Sequence, residues 1–323
     1  MPLAMARAAG RARRGWMVAG VLLLAALAGC AVPGAPKPAY PADLPERVEL
    51  SDTPFFADDS HHCGPAALAT GLSAAGLPTS PQALIDHVFL PGRQGALQVE
   101  MLAGARRHGG VATQIPGTLE TLLREIAAGH PVVVLQNLGL SWAPSWHYAV
   151  AIGYDARSET VLLRSGPMPR QALGLRTFMH TWDRSARWAF VVTRPGQLPA
   201  TASQAQVLSA LVAFERNAPA AAAAQAYRAG LARWPEQPTL AMGLGNALYA
   251  AGDTDAAEAA YRQVLAAQEH AAAYNNLARL RLERGDAAQA RALVQRGLRV
   301  AGPLRPTLLD TLQAIDRADP PAQ

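Results

Sequence analysis

Two residues in this chain have the types needed for a nucleophile and its base. Cys63 lies in the stretch His61-His62-Cys63-Gly64-Pro65-Ala66-Ala67-Leu68, and His147 in Trp146-His147-Tyr148-Ala149-Val150. Sulfur attacks as thiolate, and a neighbouring imidazole can take the thiol proton or hold it in an ion pair. The two residues are 84 positions apart, so only the fold can bring them together. Each also has a plainer reading. Cysteine is among the most buried residue types, and a histidine beside aromatics is more often packed than reactive.

Local sequence gives Cys63 a helix start. Pro65 suits a first helical turn, where a missing N–H costs nothing. Residues 66–75 are Ala-rich, with Leu68 and Leu72 one turn apart. The unpaired amides and positive dipole end there predict a favoured thiolate. Further helical patterns cover about 81–89, 97–108 and 118–128, punctuated by glycines and prolines, with Gly109-Gly110 as a helix stop. The texture changes at Pro131. Val132–Leu135, Trp146–Tyr154, Glu159–Arg164 and Arg187–Thr193 read as strands, with a turn at Asp155–Ser158. Helices first and strands second predict an α+β domain with a cleft between its halves. His147 opens the second strand and can meet Cys63 there.

The formal charge of +5 is misleading. Residues 1–29 carry Arg7, Arg11, Arg13 and Arg14 and no acid; without them 25 basic residues face 24 acidic ones. No basic face points to nucleic acid. The basic start and the short apolar run Trp16–Ala28 form a secretory signal layout, and the run is too short to span a bilayer comfortably. Leu27-Ala28-Gly29-Cys30 looks like a bacterial lipobox, with Cys30 the lipidated residue. Residues 30–47 contain five prolines and read as an extended tether. Ala31, by resemblance to bacterial lipoproteins, implies the outer membrane facing the periplasm. With Cys30 acylated, Cys63 is the single remaining thiol, and no disulfide framework exists.

Phe55-Phe56, Cys63–Leu68 and Trp146–Val150 with Gly153-Tyr154-Asp155 resemble the bacteriocin-leader-processing cysteine peptidases. These are papain-like enzymes that cleave peptides, often after Gly-Gly leaders. The chain resembles more closely their stand-alone lipoprotein relatives with C-terminal helical repeats. That likeness rests on Pro91-Gly92-Arg93-Gln94-Gly95, Leu97-Gln98, Glu100-Met101, Leu163-Arg164-Ser165-Gly166, and Trp182 followed by Trp188. It covers about residues 50–195, and the repeats extend it to about 300. The resemblance implies Cys63 as nucleophile and His147 as general base.

Two positions depart from the family pattern. A glutamine five or six residues before the cysteine usually helps hold the oxyanion, and here Ala57 and Asp58 stand there. An ionised Asp58 cannot donate and would repel the developing charge; a lost donor costs roughly 10²–10³ in rate. His61, His62 or the Cys63 amide could substitute. The usual Asp-Pro after the histidine strand is replaced by Ser165-Gly166, so Ser165 is the first choice to orient His147, with Asp155 and Asp183 as alternatives. No metal is expected: His61 and His62 point opposite ways on an extended chain, and no further Cys/His group follows at ligand spacing. No cofactor is expected either. His87, His108, His130 and His180 read as surface or packing residues. Trp142 and Trp146 flank the histidine strand and read either as lining of a substrate cleft or as cover for the core, the second being favoured.

After a Pro-, Ser- and Gln-bearing linker at 196–206, a pattern repeats. Leu244-Gly245, Gly252, Ala257 and Tyr261 return as Leu277-Ala278, Gly285, Ala290 and Val294, and Tyr227 marks a fainter first copy. This resembles tetratricopeptide repeats, paired helices with a protein-binding face. The expected organisation is a signal peptide at 1–29, a tether at 30–47, an α+β papain-like cysteine peptidase domain at 48–196, and an all-α tetratricopeptide-repeat domain at 204–312. The expected function is a membrane-anchored thiol peptidase acting on peptides or proteins, with repeats for a protein partner. The competing readings are a peptide-binding adaptor with weakened catalysis and an enzyme that transfers the acyl group to an amine.

Overall fold

A computed structural model describes residues 40–58 and 61–319. The proposed signal peptide, Cys30 and most of the tether lie outside the described residues. The body begins before residue 48. Asp43 accepts two hydrogen bonds from Arg124 (2.7 and 3.1 Å). Glu46 accepts one from Arg157 (2.7 Å).

Strand β1 (Arg47–Glu49) is followed by α1 (Cys63–Ala74) and α2 (Pro81–Val88). The short pair β2 (Phe89–Leu90) and β3 (Gly95–Ala96) leads to α3 (Gln98–Arg107), β4 (Val111–Gln114) and α4 (Leu119–Ala127). Then come β5 (Val132–Asn137), β6 (Trp146–Asp155), β7 (Thr160–Ser165), β8 (Met168–Gly174), α5 (Leu175–Asp183) and β9 (Ala189–Thr193). Side chains set the helix starts. The Ala83 amide donates to Ser80 Oγ (3.3 Å) at α2, and the Thr121 amide to Thr118 Oγ1 (3.1 Å) at α4.

The sheet runs β4-β9-β5-β6-β7-β8, and all its pairings are antiparallel. β1 takes over the edge of β6 that β5 leaves, pairing Val48 with Tyr154. Leu68 and Leu72 of α1 pack on one sheet face with Val133, Leu135, Tyr148, Val150 and Ile152. On the other face α4 and α5 close the layer, and Gln136 on β5 donates to Thr181 on α5 (2.6 Å). Helices and strands are therefore less segregated than expected. β4 comes between two helices and joins the sheet, and β8 and α5 fall where no element was read.

The C-terminal part is all helix: α6 (Gln204–Glu215), α7 (Ala220–Arg233), α8 (Pro238–Ala250), α9 (Thr254–Ala267), α10 (Ala271–Glu283), α11 (Ala287–Arg299) and α12 (Arg305–Ala318). The period is visible in its turns. Gly252 (φ 84°) and Gly285 (φ 79°) end α8 and α10 in the left-handed conformation that favours glycine. The next residues, Asp253 and Asp286, cap α9 and α11 by accepting from Ala256 and Gln289 (3.2 and 3.0 Å).

The segment read as a linker is fixed to the first domain. Glu125 on α4 is fully buried and accepts hydrogen bonds from the Ala200 amide (3.0 Å), the Thr201 amide (2.7 Å) and Thr201 Oγ1 (2.5 Å). His130 Nδ1 lies 2.8 Å away. Arg233 donates to the carbonyls of Pro199 and Ala200 from the other side (2.7 and 2.5 Å). Val111 of β4 shares a core with Val207, Leu211 and Phe214 of α6. Burial alone would raise the Glu125 carboxyl, but the hydrogen bonds from His130, Thr201 and Ala200 hold it below the usual carboxylate range. Its stabilising contribution is thus complete above the unfolded carboxylate value and lost as pH falls through the lower folded one. Glu125→Gln removes the charge those donors converge on. We expect it to cost about 3 kcal/mol in urea unfolding at pH 7 and to flatten the loss of stability on the acid side.

Candidate active site

Cys63 is the first residue of α1, and its predecessor His62 supplies no side-chain cap. The first-turn amides are thus not held by a capping side chain. The Ala66 amide bonds to the His62 carbonyl (3.0 Å), so the helix ladder starts immediately and Pro65 loses nothing. Gly64 lets this end sit close to its neighbour: a Cβ there would lie 2.6 Å from Ala96 Cβ on β3. The residue after Cys63 therefore fixes how near α1 approaches the cleft wall.

His147 sits second in β6, paired with Gln136 on β5. Its Nε2 lies 2.9 Å from Ser165 Oγ at the end of β7. Cys63 and His147 line one cleft of about 700 Å³, together with His61, Arg93–Gln98, Leu135, Leu138 and Pro144–Tyr148. The backbone of Tyr148, next to His147, hydrogen-bonds the sulfur. Behind Cys63 a second, smaller pocket is lined by Asp58, Tyr148, Arg164, Ser165 and Gly166. Two contacts shape it. The Asp58 amide donates to the Gly166 carbonyl (3.0 Å). Arg164 ties the approaching segment to β7 by donating to the carbonyls of Ser51 (2.8 Å) and Thr53 (2.7 Å). The fold thus brings Cys63, His147, Ser165 and Asp58 to one place from four separate stretches of chain.

Residues 50–189 match the model of the Peptidase_C39 like family. A crystal structure from Bacillus anthracis, described as a C39-like peptidase, is similar at 19% identity, covering 46% of this chain and 98% of that one, with a TM-score of 0.39. No curated protein matches the chain significantly.

Within the C39-like segment the electrostatics differ from the expectation of a resting thiolate. Burial pushes the Cys63 thiol up; hydrogen bonds from the Tyr148, Gly64 and Cys63 backbone oppose this, and the Asp58 charge adds to it. Burial also pushes His147 down, against the Asp58 charge. Both shifts favour the neutral forms. The helix end is real, but desolvation outweighs it, so the arrangement at rest is a thiol beside a neutral imidazole. In the tautomer whose Nε2–H donates to Ser165 Oγ, Nδ1 carries the lone pair that can accept a proton.

The alternatives are engaged elsewhere. Asp155 accepts from the amides of Arg157 (2.9 Å) and Ser158 (3.2 Å) at the far end of β6. Asp183 pairs with Arg187 on the α5 side. His61 is exposed and lines the cleft, while His62 stacks against Phe89 with ring centroids 4.7 Å apart. Among the described residues no three His, Cys, Asp or Glu side chains cluster as metal ligands. Trp142 and Trp146 do not cover the core. Trp142, 83% exposed, lies in the β5–β6 loop, and Trp146, 53% exposed, is the first residue of β6. The stretch Arg93–Gln98, first noticed for its resemblance, forms one bank of the cleft. Sequence reasoning missed the role of the Tyr148 backbone, which carries no residue-type signal.

The pH sign follows from the two shifts. Alkylation by iodoacetamide needs thiolate, so its rate on the full chain should still be climbing, with no plateau, at the ordinary thiol value of about 8.5. A plateau reached by pH 6 would mean an ion pair at rest and would overturn this account.

Proposed function

We propose that the chain is a lipid-anchored thiol peptidase that cleaves peptide or protein substrates. The reading is carried by one observation: Cys63 and His147 line the same cleft, and Ser165 Oγ lies 2.9 Å from His147 Nε2. In this mechanism a substrate carbonyl enters the cleft beside Cys63. The sulfur attacks the carbonyl carbon as its proton passes to His147 Nδ1. The new S–C bond replaces the carbonyl π bond, and the oxyanion is held by the backbone N–H groups at the start of α1. The imidazolium then gives its proton to the leaving amine as the C–N bond breaks. Water, deprotonated by the same imidazole, hydrolyses the acyl-thioester. Ser165 keeps the ring in the tautomer that both steps need.

Asp58 fits this scheme as a counter-charge and not as an oxyanion donor. Among the described residues it is the single carboxylate lining either pocket at Cys63. Its charge acts on His147 in the direction that favours imidazolium. It also raises the thiol, so it disfavours free thiolate while favouring the protonated ring formed during attack.

Cys30 as a lipidation site, an outer-membrane location facing the periplasm, and recognition of a protein partner by helices of tetratricopeptide type complete the proposal. Among the described residues no helix is long and apolar enough to cross a membrane, so attachment here rests on the lipobox. A second reading, a peptide-binding adaptor with weak catalysis, is favoured by the raised thiol and by the absence of a glutamine at residue 58. The adaptor would bind peptides in the same cleft and leave them intact.

Incubation of the full chain with a defined peptide mixture, read by mass spectrometry, separates the two. The peptidase reading expects new peptide ends that vanish in Cys63→Ala and fall at least about 10²-fold in His147→Ala. Intact peptides over long incubation, with binding retained, would leave the adaptor. Asp58→Asn tests the counter-charge with opposite signs in two assays. Hydrolysis should fall about tenfold as the imidazolium loses its counter-charge, while alkylation of Cys63 at pH 8 should speed up. A rise in hydrolysis would assign Asp58 a harmful place at the oxyanion instead.

A further inference from the structure

The loop between β5 and β6 displays apolar side chains that the fold has no need to expose. Leu138 is 52% exposed, Leu140 50%, Trp142 83% and Trp146 53%. Large apolar groups shown together in this way mark binding surfaces. The loop is closed by its own hydrogen bonds. The Leu138 amide donates to the Ser145 carbonyl (2.8 Å), and Leu140 and Ala143 exchange amide-to-carbonyl bonds (3.0 and 3.1 Å). Buried Asn137 accepts from the amides of Gly139 (3.0 Å) and Ser145 (2.9 Å) through Oδ1. Arg184, from beyond α5, donates to the Gly139 carbonyl. The backbone that carries the exposed rings is therefore held in place before any ligand arrives, which lowers the entropy cost of binding.

Their position says what they meet. Leu138 and Trp146 line the cleft that contains Cys63 and His147, and Leu97, 36% exposed, faces it from the opposite bank. The apolar surface is thus continuous with the reactive pair and lies on both sides of it. Arg93 is the only arginine lining the cleft, and neither lysine nor a carboxylate joins it there among the described residues. A surface built for anionic lipid would carry a cationic belt. This one offers apolar area with little charge, in a concave channel.

We infer that the loop at residues 138–146 and the facing Leu97 select extended peptides with large apolar side chains next to the bond that is cut. Trp142 and Leu140 extend the grip beyond the cleft mouth. This rests on the peptidase reading for what happens after binding, but not for binding itself. Selectivity comes from burying an aromatic or branched side chain between the banks, and substrate charge is tolerated without being selected.

The test uses the full chain carrying Cys63→Ala, so that bound peptide stays whole. Two capped, tryptophan-free peptides differ only in bearing Leu and Phe, or Ser, at alternate central positions. The apolar peptide should bind and shift tryptophan emission to the blue. Trp142→Ala should weaken it about 10- to 100-fold, the worth of burying one large side chain, with Trp142→Phe in between. In the chain with Cys63 intact, Trp142→Ala should raise KM for the apolar peptide more than it lowers kcat. Equal binding of both peptides, or no effect of Trp142→Ala while peptides are still hydrolysed, overturns the inference and leaves the peptidase reading standing. Selective apolar binding without any hydrolysis by the intact chain supports the groove and removes the peptidase reading. A blue shift on vesicles of phosphatidylethanolamine and phosphatidylglycerol, lost in Trp142→Ala and with no preference between the peptides, overturns it in favour of a membrane surface.

Discussion

The site depends on how closely the N-terminal end of α1 is pressed against the strands beside it. Leu68 and Leu72 are fully buried against Val133, Val150 and Ile152, and each such side chain stabilises the contact by about 1.5–3 kcal/mol. Further up the helix, Gly64 leaves no room for even one carbon between α1 and Ala96. Those two facts set the height of Cys63 relative to β6. Misplacement of about 1 Å at such a centre can cost about 10²-fold in rate. In the proposed mechanism the apolar packing below the sulfur is thus as much part of the chemistry as the imidazole.

Packing that tightly has an electrostatic consequence. It removes water from the thiol and the imidazole together, and each loses more from desolvation of its charged form than it regains from local dipoles. A helix end by itself favours thiolate, but its contribution is usually about 0.3–1 kcal/mol at exposed sites. Burial is the larger effect here. The dry cleft then makes the remaining charge count for more, since fixed charges act more strongly where water is excluded. Asp58, nine-tenths buried behind the sulfur, is the group placed to exert that influence. On the proposed mechanism, this balance gives a pair neutral at rest and charged only during attack.

Residue type and spacing made much of this legible. Cys63 before Gly64-Pro65 announced a helix start, and the helix begins at that cysteine. The strands that carry His147 and Ser165 were legible, because β-branched runs bounded by turns are strong signals. Other features left no such mark. β8 is mostly exposed, begins with Met168-Pro169 and sits at a sheet edge, so no apolar alternation reveals it. The linker looked loose because Pro, Ser and Gln usually are. What fixes it is Glu125, 75 residues earlier, whose burial depends on donors that only the folded chain supplies. Trp142 and Trp146 were misread for a similar reason: tryptophan is usually buried, and nothing local tells a core ring from a displayed one.

Natural sequences agree with their folds at most positions, and the disagreements collect where function has priority. In this chain several of them meet around one cleft. The helix that carries Cys63 starts without a side-chain cap, as α3, α5, α7 and α12 also do, and among the described residues it alone places a thiol there. A carboxylate is set behind a buried thiol that its charge disfavours as thiolate. A tightly hydrogen-bonded loop shows its apolar side chains to solvent. Folding alone would favour a serine or aspartate at His62, an apolar residue at Asp58 and polar groups at the loop tip. By contrast, the helical half follows the folding rules closely, with glycine stops and aspartate starts repeated at matched turns. That contrast supports placing the proposed chemistry in the first half of the molecule, on grounds independent of any likeness to other proteins.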